Sequence, residues 1–172
     1  MLIRYNKGFT LLETLVAVAI LMVAIVGALS LVSRGLSAAF VAKDQVTAFY
    51  LTVEAVEYIK NLRDSNILND EDWLDEDIEE CMEGDGCTID MSRVPPKVKE
   101  CDETCAPLKY DPIDNFYNYK NGNDTTFVRT VKVTETVADV EAVIDVVVTW
   151  KTGGLDRSFT IRENMFNWAR NF

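Results

Sequence analysis

The sequence predicts an α+β fold. One long N-terminal α-helix, hydrophobic in its first half and amphipathic in its second, packs on a C-terminal antiparallel β-meander. Three observations predict it. From Leu15 to Leu29 every residue is apolar or glycine. From Arg34 to Arg63 there is no proline, and apolar residues recur at the three- and four-residue steps of a helix face. Beyond Phe116, β-branched and aromatic residues alternate at period two between glycine-bearing turns.

The first segment reads as a membrane helix. With Phe9–Leu12 before it and Leu31–Val32 after it, the apolar stretch is about 24 residues, enough to span a bilayer. Arg4 and Lys7 precede it, and acidic residues dominate beyond it. The positive-inside rule puts the N-terminus in the cytoplasm and the bulk of the chain outside. A secretory signal has a shorter apolar core and a small-residue cleavage site after it. An ordinary signal anchor explains the span and the orientation. It leaves unexplained the Gly8-Phe9 junction and Glu13, the one charge in the segment, since a carboxylate in apolar surroundings needs a partner.

The balance of charge narrows function. The formal net charge is −11, although residues 1–34 hold Arg4, Lys7 and Arg34 against Glu13 alone. An acidic surface repels phosphate, so no direct nucleic-acid binding is expected. The chain has no histidine, and so lacks the commonest general base and zinc ligand. It has no Gly-rich phosphate loop either, and no pair of carboxylates is singled out among its 28 acidic residues. The reading is non-enzymatic.

The second half of the helix carries Val46, Phe49, Val53, Val56, Ile59 and Leu62 on one face, with Lys43, Asp44, Gln45, Glu54 and Lys60 on the other. That stripe is expected to pack on the protein's own sheet. A helix from Phe9 to about Arg63 is roughly 80 Å long at the standard rise.

Residues 69–85 are very acidic, with Asp70, Glu71, Asp72, Asp75 and Glu76 opening the run. Oxygen-rich clusters can bind calcium, but the EF-hand spacing and its central glycine are missing. A solvated acidic loop or short helix is the expectation, with calcium kept as a minor one. The four cysteines, Cys81, Cys87, Cys101 and Cys105, follow in one window. Beyond a membrane segment an even, clustered set reads as two disulfides. The C-x5-C and C-x3-C spacings do not suit zinc. If Cys87–Met91 and Lys97–Cys101 pair as a hairpin around Ser92–Pro96, Cys87 falls opposite Cys101, and Cys81 with Cys105 closes an outer bridge. Pairing of sequence neighbours, Cys81 with Cys87 and Cys101 with Cys105, is the alternative, and sequence does not decide between them.

The last third reads as sheet. Asn121-Gly122 signals a hairpin between Phe116–Lys120 and Thr125–Thr136. Ile144, Val146, Val148 and Trp150 alternate onto one face. Thr152-Gly153-Gly154 turns the chain into Arg157–Glu163, where Phe159 and Ile161 alternate. Met165, Phe166 and Trp168 are expected in core or sheet-edge packing. Asn123-Asp124-Thr125 fits a glycosylation acceptor pattern, a motif too short to carry function.

Lys7-Gly8-Phe9-Thr10-Leu11-Leu12-Glu13, ahead of the apolar helix, resembles the class III signal of type IV pilins and pseudopilins. The resemblance is close over residues 4–32 and weaker beyond. It implies a pilin-like fold and a cut by prepilin peptidase between Gly8 and Phe9. An N-methyltransferase would then methylate Phe9, and Glu13 would serve as an assembly charge that neutralises an N-terminal amine in the filament. The implied organisation is a leader at 1–8, a membrane and filament-core half-helix at 9–32, and an amphipathic half-helix at 33–64. An acidic, disulfide-stapled variable region at 65–110 and the antiparallel sheet of the head at 111–172 complete it. The implied partners are other pilin subunits, the two processing enzymes, the inner-membrane assembly platform, and membrane lipid before assembly. The implied location is a single-pass inner-membrane protein with its head outside, and then a periplasmic or extracellular filament. Many major pilins carry a proline in the hydrophobic half-helix, and this chain has none there. That absence resembles the minor pilins or the pseudopilins of the I or V type. The rival reading is a membrane-anchored extracytoplasmic domain that keeps residues 1–8 and binds a ligand. No cofactor is expected.

Overall fold

The structure, a computed structural model, describes residues 8–168. Arg4 and Lys7 lie outside the described residues. Helix α1 (Leu11–Leu68) is followed by a single-turn α2 (Glu76–Glu79) and seven strands. These are β1 (Cys87–Asp90), β2 (Lys97–Glu100), β3 (Pro107–Asp111), β4 (Phe116–Asn118), β5 (Asn123–Val137), β6 (Glu141–Thr152) and β7 (Leu155–Phe166). The chain divides into two units, Met1–Ala42 and Lys43–Phe172. α1 starts in the first and ends in the second.

Both ends of α1 have local causes. Thr10 caps the start: its hydroxyl accepts the Glu13 N–H at 3.3 Å, and its carbonyl accepts the Thr14 N–H at 3.2 Å. At the other end Asp70 takes a left-handed conformation with φ 59°. The Asp70 N–H then reaches the Ile67 carbonyl, and the Glu71 N–H reaches the Asn66 carbonyl at 2.9 Å. This is a Schellman stop, which satisfies carbonyls the helix would otherwise leave bare. It falls several residues beyond the Arg63 expected from periodicity.

All strand pairs are antiparallel and β5 is the hub of the sheet. β6 runs along one edge of β5, and β3 and β1 share the other. β5, β6 and β7 form the expected meander. Thr152 pairs with Leu155 across Gly153-Gly154, both with positive φ, as a two-residue hairpin turn demands. Ile144, Val146, Val148 and Trp150 all point into the core, as the alternation predicts.

Three expectations are corrected. First, the sheet is not confined to residues 111–172, because β1, β2 and β3 lie in the acidic stapled region. Second, Asn121-Gly122 does not join a hairpin. β4 pairs back onto β3, and the chain then crosses to the far side of β3 to begin β5. The Asn118 side chain accepts the Lys120 and Asn121 N–H groups at 2.8 and 2.7 Å, which turns the chain there. Gly122, at φ 107°, passes so close to Tyr110 that a Cβ would lie 2.3 Å from its carbonyl oxygen. Third, the pairing of Cys87 with Cys101 and of Cys81 with Cys105 does not occur. The bridges are Cys81–Cys87 and Cys101–Cys105. The β1–β2 hairpin exists, but its register sets Cys87 opposite Glu100, so Cys101 falls one residue beyond the pair.

The buried face of α1 also differs from the predicted stripe. Ala48, Leu51, Thr52, Ala55, Val56 and Ile59 are buried, whereas Val46 and Phe49 are exposed. The buried positions 48, 52 and 55 carry small side chains, and the Thr52 hydroxyl donates to the Ala48 carbonyl at 2.7 Å. Two core clusters result. One joins Ala55, Val56 and Ile59 to Ile89, Val131, Ile144 and Met165. The other joins Ala48 and Leu51 to Leu108, Phe127, Val148 and Trp150.

Candidate functional site

The N-terminal site comprises Gly8, Phe9, Thr10 and Glu13. Gly8 and Phe9 precede α1 in exposed, irregular backbone, with Phe9 81% exposed. A Cβ built on Gly8 meets nothing within 4 Å. The Gly8–Phe9 peptide bond is therefore open to an enzyme and is not locked by hydrogen bonds of the helix. The helix begins at Leu11 rather than Phe9, which places Glu13 at its third position. Thr10-Leu11-Leu12-Glu13 has the spacing of a capping box, in which a first-turn carboxylate faces the unsatisfied N–H groups of the helix start. The T-x-x-E pattern was the sequence signal for this cap.

Past Glu13, α1 exposes Leu15, Ile20, Met22, Val23, Val26 and their neighbours. It is long and apolar enough to cross a membrane. A helix apolar on every side cannot be satisfied by water, so this surface needs lipid or other helices around it.

In the second unit the notable polar centre is Arg129, which sequence reading passed over. It is 1% exposed and sits on the core face of β5 between Phe127 and Val131. Its guanidinium donates to Glu54 and to the Leu51 carbonyl on α1, and to the Ile89 carbonyl on β1. One side chain thus ties helix, central strand and hairpin together. Period two along β5 places position 129 inward, and that was the available signal. Nearby, burial and the adjacent negative charges of Asp90 and Glu54 raise the Tyr119 hydroxyl above its ordinary range, against the opposing influence of Arg129.

Asp90 closes the β1–β2 turn. Burial pushes its carboxyl up, but bonds from the Ser92 hydroxyl and N–H and from Arg93 outweigh this and hold it below its ordinary value. Asp64, near the end of α1, behaves alike: burial is outweighed by bonds from Trp168 and Arg63.

Glu79, Glu80, Glu83 and Glu100 border one open cleft, and the Glu80 carboxylate accepts the Glu100 N–H at 3.0 Å. Among the described residues no three His, Cys, Asp or Glu side chains lie where they could hold a metal ion.

The family model described as the prokaryotic N-terminal methylation motif matches residues 3–29. No curated protein and no solved structure is matched by the chain. The matched span contains Gly8, Phe9, Thr10 and Glu13 together with most of the exposed apolar helix.

Proposed function

We propose that this chain, which carries the class III signal of the type IV pilin and pseudopilin family, is a non-enzymatic structural subunit of a type IV pilus or a related pseudopilus. The observation that carries the reading is the Gly8-Phe9-x3-Glu13 spacing at the head of an exposed apolar helix. Prepilin peptidase cuts between Gly8 and Phe9, an N-methyltransferase modifies Phe9, and the inner-membrane assembly platform draws the subunit into a filament of other pilins.

The chemistry explains why a carboxylate belongs there. Cleavage creates an α-amine on Phe9, mostly protonated at neutral pH. That cation sits one residue before the cap of a helix whose N-terminus already carries a partial positive charge. Glu13, in the first turn, offsets both. In lipid a lone helix leaves the two charges poorly solvated. In a bundle, the Glu13 of one subunit can pair with the amine of the next, and the pair persists because each charge has a partner. Helix packing replaces lipid contacts, so transfer from membrane to filament core need not be unfavourable. The absence of proline from the apolar half-helix supports a minor pilin or a pseudopilin of the I or V type.

The test is the intact mass of the protein extracted from membranes of cells that hold an active prepilin peptidase and its methyltransferase. Loss of Met1–Gly8 with one added methyl group is expected. An uncut chain, beside a control pilin that is cut, overturns the proposal and leaves a membrane-anchored binding domain as the better reading.

A further inference from the structure

The apolar surface of α1 runs on past Val32 to the start of the second unit. Between Glu13 and Lys43 the only charge is Arg34, and Leu36 and Phe40 are exposed like the residues before them. Thr14–Ala42 is 29 residues, about 43 Å at the rise of an α-helix. That matches the roughly 40–45 Å of a bilayer with both headgroup layers. An arginine is long enough to carry its charge out to the headgroups. Lys43 and Asp44, the first residues of the second unit, then fall at the far face of the bilayer.

Register defines the end of the second unit that Asp44 marks. The Asp44 carboxylate accepts the Thr152 hydroxyl at 2.6 Å. β6 runs antiparallel to β5 with Val128 opposite Thr149, so Thr152 and the β6–β7 turn lie level with the start of β5. Tyr110 pairs with Asn123, the first residue of β5, so the β3–β4 turn projects from the same end. Ser92 and Arg93 of the β1–β2 turn border one cleft with Asp111 and Asp114 of the β3–β4 turn, which brings the third turn there too. Each turn holds a large apolar side chain in the open: Val94 is 101% exposed, Ile113 86% and Leu155 64%.

Charge separates the two ends. At the other end Asp70, Glu71, Asp72 and Asp139 border a cleft that no basic side chain lines among the described residues. At the Asp44 end Lys109 pairs with Asp124 at 3.3 Å, Lys151 with Asp156 at 3.5 Å and Arg93 with Asp90 at 3.1 Å. Asp111 and Asp114 flank Ile113, so this turn suits the headgroup layer and not the hydrocarbon beneath it. Open apolar side chains gathered at one end mark an interaction surface. The surface that α1 already brings to this end is lipid.

We propose that Val94, Ile113 and Leu155 dock this end of the second unit on the headgroup layer of the membrane that α1 crosses. The proposal rests on α1 as a membrane helix, which the filament reading and the anchored-domain reading share, so it stands or falls apart from processing at Gly8.

All four cysteines are bridged, so one added cysteine carries one label. An environment-sensitive fluorophore is attached in Val94→Cys, Ile113→Cys and Leu155→Cys, and in Glu71→Cys as the control at the other end. All four side chains are exposed, so the fold has no reason to change. Each full chain is reconstituted in phosphatidylcholine vesicles at rising lipid-to-protein ratio, with and without a nitroxide on the upper acyl chain. The expected result is a blue-shifted emission and quenching by the nitroxide at positions 94, 113 and 155, both kept at the highest lipid ratio, with neither at 71. Labels at the three turns that behave like the label at 71 overturn the proposal. So does a blue shift that fades as the chain is diluted into lipid, which assigns the three side chains to a second copy.

Discussion

At the residue scale, Arg129 and Asp90 show how buried charge is made tolerable. Arg129 has lost nearly all its water, and its compensation is Glu54 and two backbone carbonyls from different elements. Arg129→Ala removes the guanidinium, and the Glu54 carboxylate left behind is 30% exposed and returns to water. Glu54→Ala instead leaves the buried guanidinium without its counter-charge, held only by the two carbonyl bonds. Glu54→Ala is therefore expected to lower the unfolding free energy by about 3 kcal/mol, the low end of the usual cost of leaving a buried charge uncompensated. Urea unfolding of both variants and of the double variant measures this. A strictly additive double variant would contradict the coupling. Asp90 gives a pH dependence. Its carboxyl titrates lower in the folded protein than its ordinary 3.8, so the ionised form stabilises the fold. That contribution is complete above the ordinary value and is lost as pH falls through the lower, folded value. Asp64 adds in the same direction. Thermal midpoints measured from pH 5 to pH 2 should fall less steeply for Asp90→Asn than for the parent, and equal slopes would remove Asp90 from the account.

At the scale of elements, what could be read locally was read, and what depends on a distant partner was not. Alternation in β6 fixed its buried face, and Gly153-Gly154 fixed the turn into β7. The same reasoning failed at Asn121-Gly122, because a turn dipeptide states that the chain bends and not which strand lies beside it. β3 took the place that a hairpin would have given to β5. It also failed on α1, where the buried side is marked by Ala48, Thr52 and Ala55, residues too small to stand out in a hydrophobic stripe. The disulfides belong with these failures, since a one-residue offset in register separates the two pairings. The pairing has a direct check. Trypsin cleaves after Arg93, Lys97 and Lys99, between the two bridges. An unreduced digest should contain Asp64–Arg93 and Glu100–Lys109, each closed by its own internal disulfide. Cross-linked pairs of these peptides would refute the neighbour pairing. Each bridge closes a short loop, so the loss of either to serine should cost only about 2 kcal/mol by chain entropy.

At the scale of the whole molecule, the two units answer different demands. In the second unit two buried clusters join the helix to the sheet, whereas in the first unit the large apolar side chains described are exposed. The first unit was the most legible part of the sequence because its meaning is local: a run of apolar residues and a glycine-phenylalanine step with a carboxylate four residues on. Its two key positions should fail in different ways. Gly8→Ala adds a methyl group into open space, so the fold has no reason to change. Any loss of cleavage in that variant reports the peptidase and not the protein's stability. Glu13→Gln keeps the size and hydrogen-bonding capacity of a first-turn residue but removes the charge. It should still be cut, since Gly8 and Phe9 are unchanged, yet leave the Phe9 amine without its counter-ion in the filament. In cells with the full assembly machinery, Gly8→Ala should accumulate uncut in the membrane and Glu13→Gln should accumulate cut in the membrane. Both should be missing from the sheared or solubilised filament fraction. If Glu13→Gln enters filaments at the parental level, the carboxylate is only a helix cap, and the pairing of charges between subunits is wrong even where processing is right.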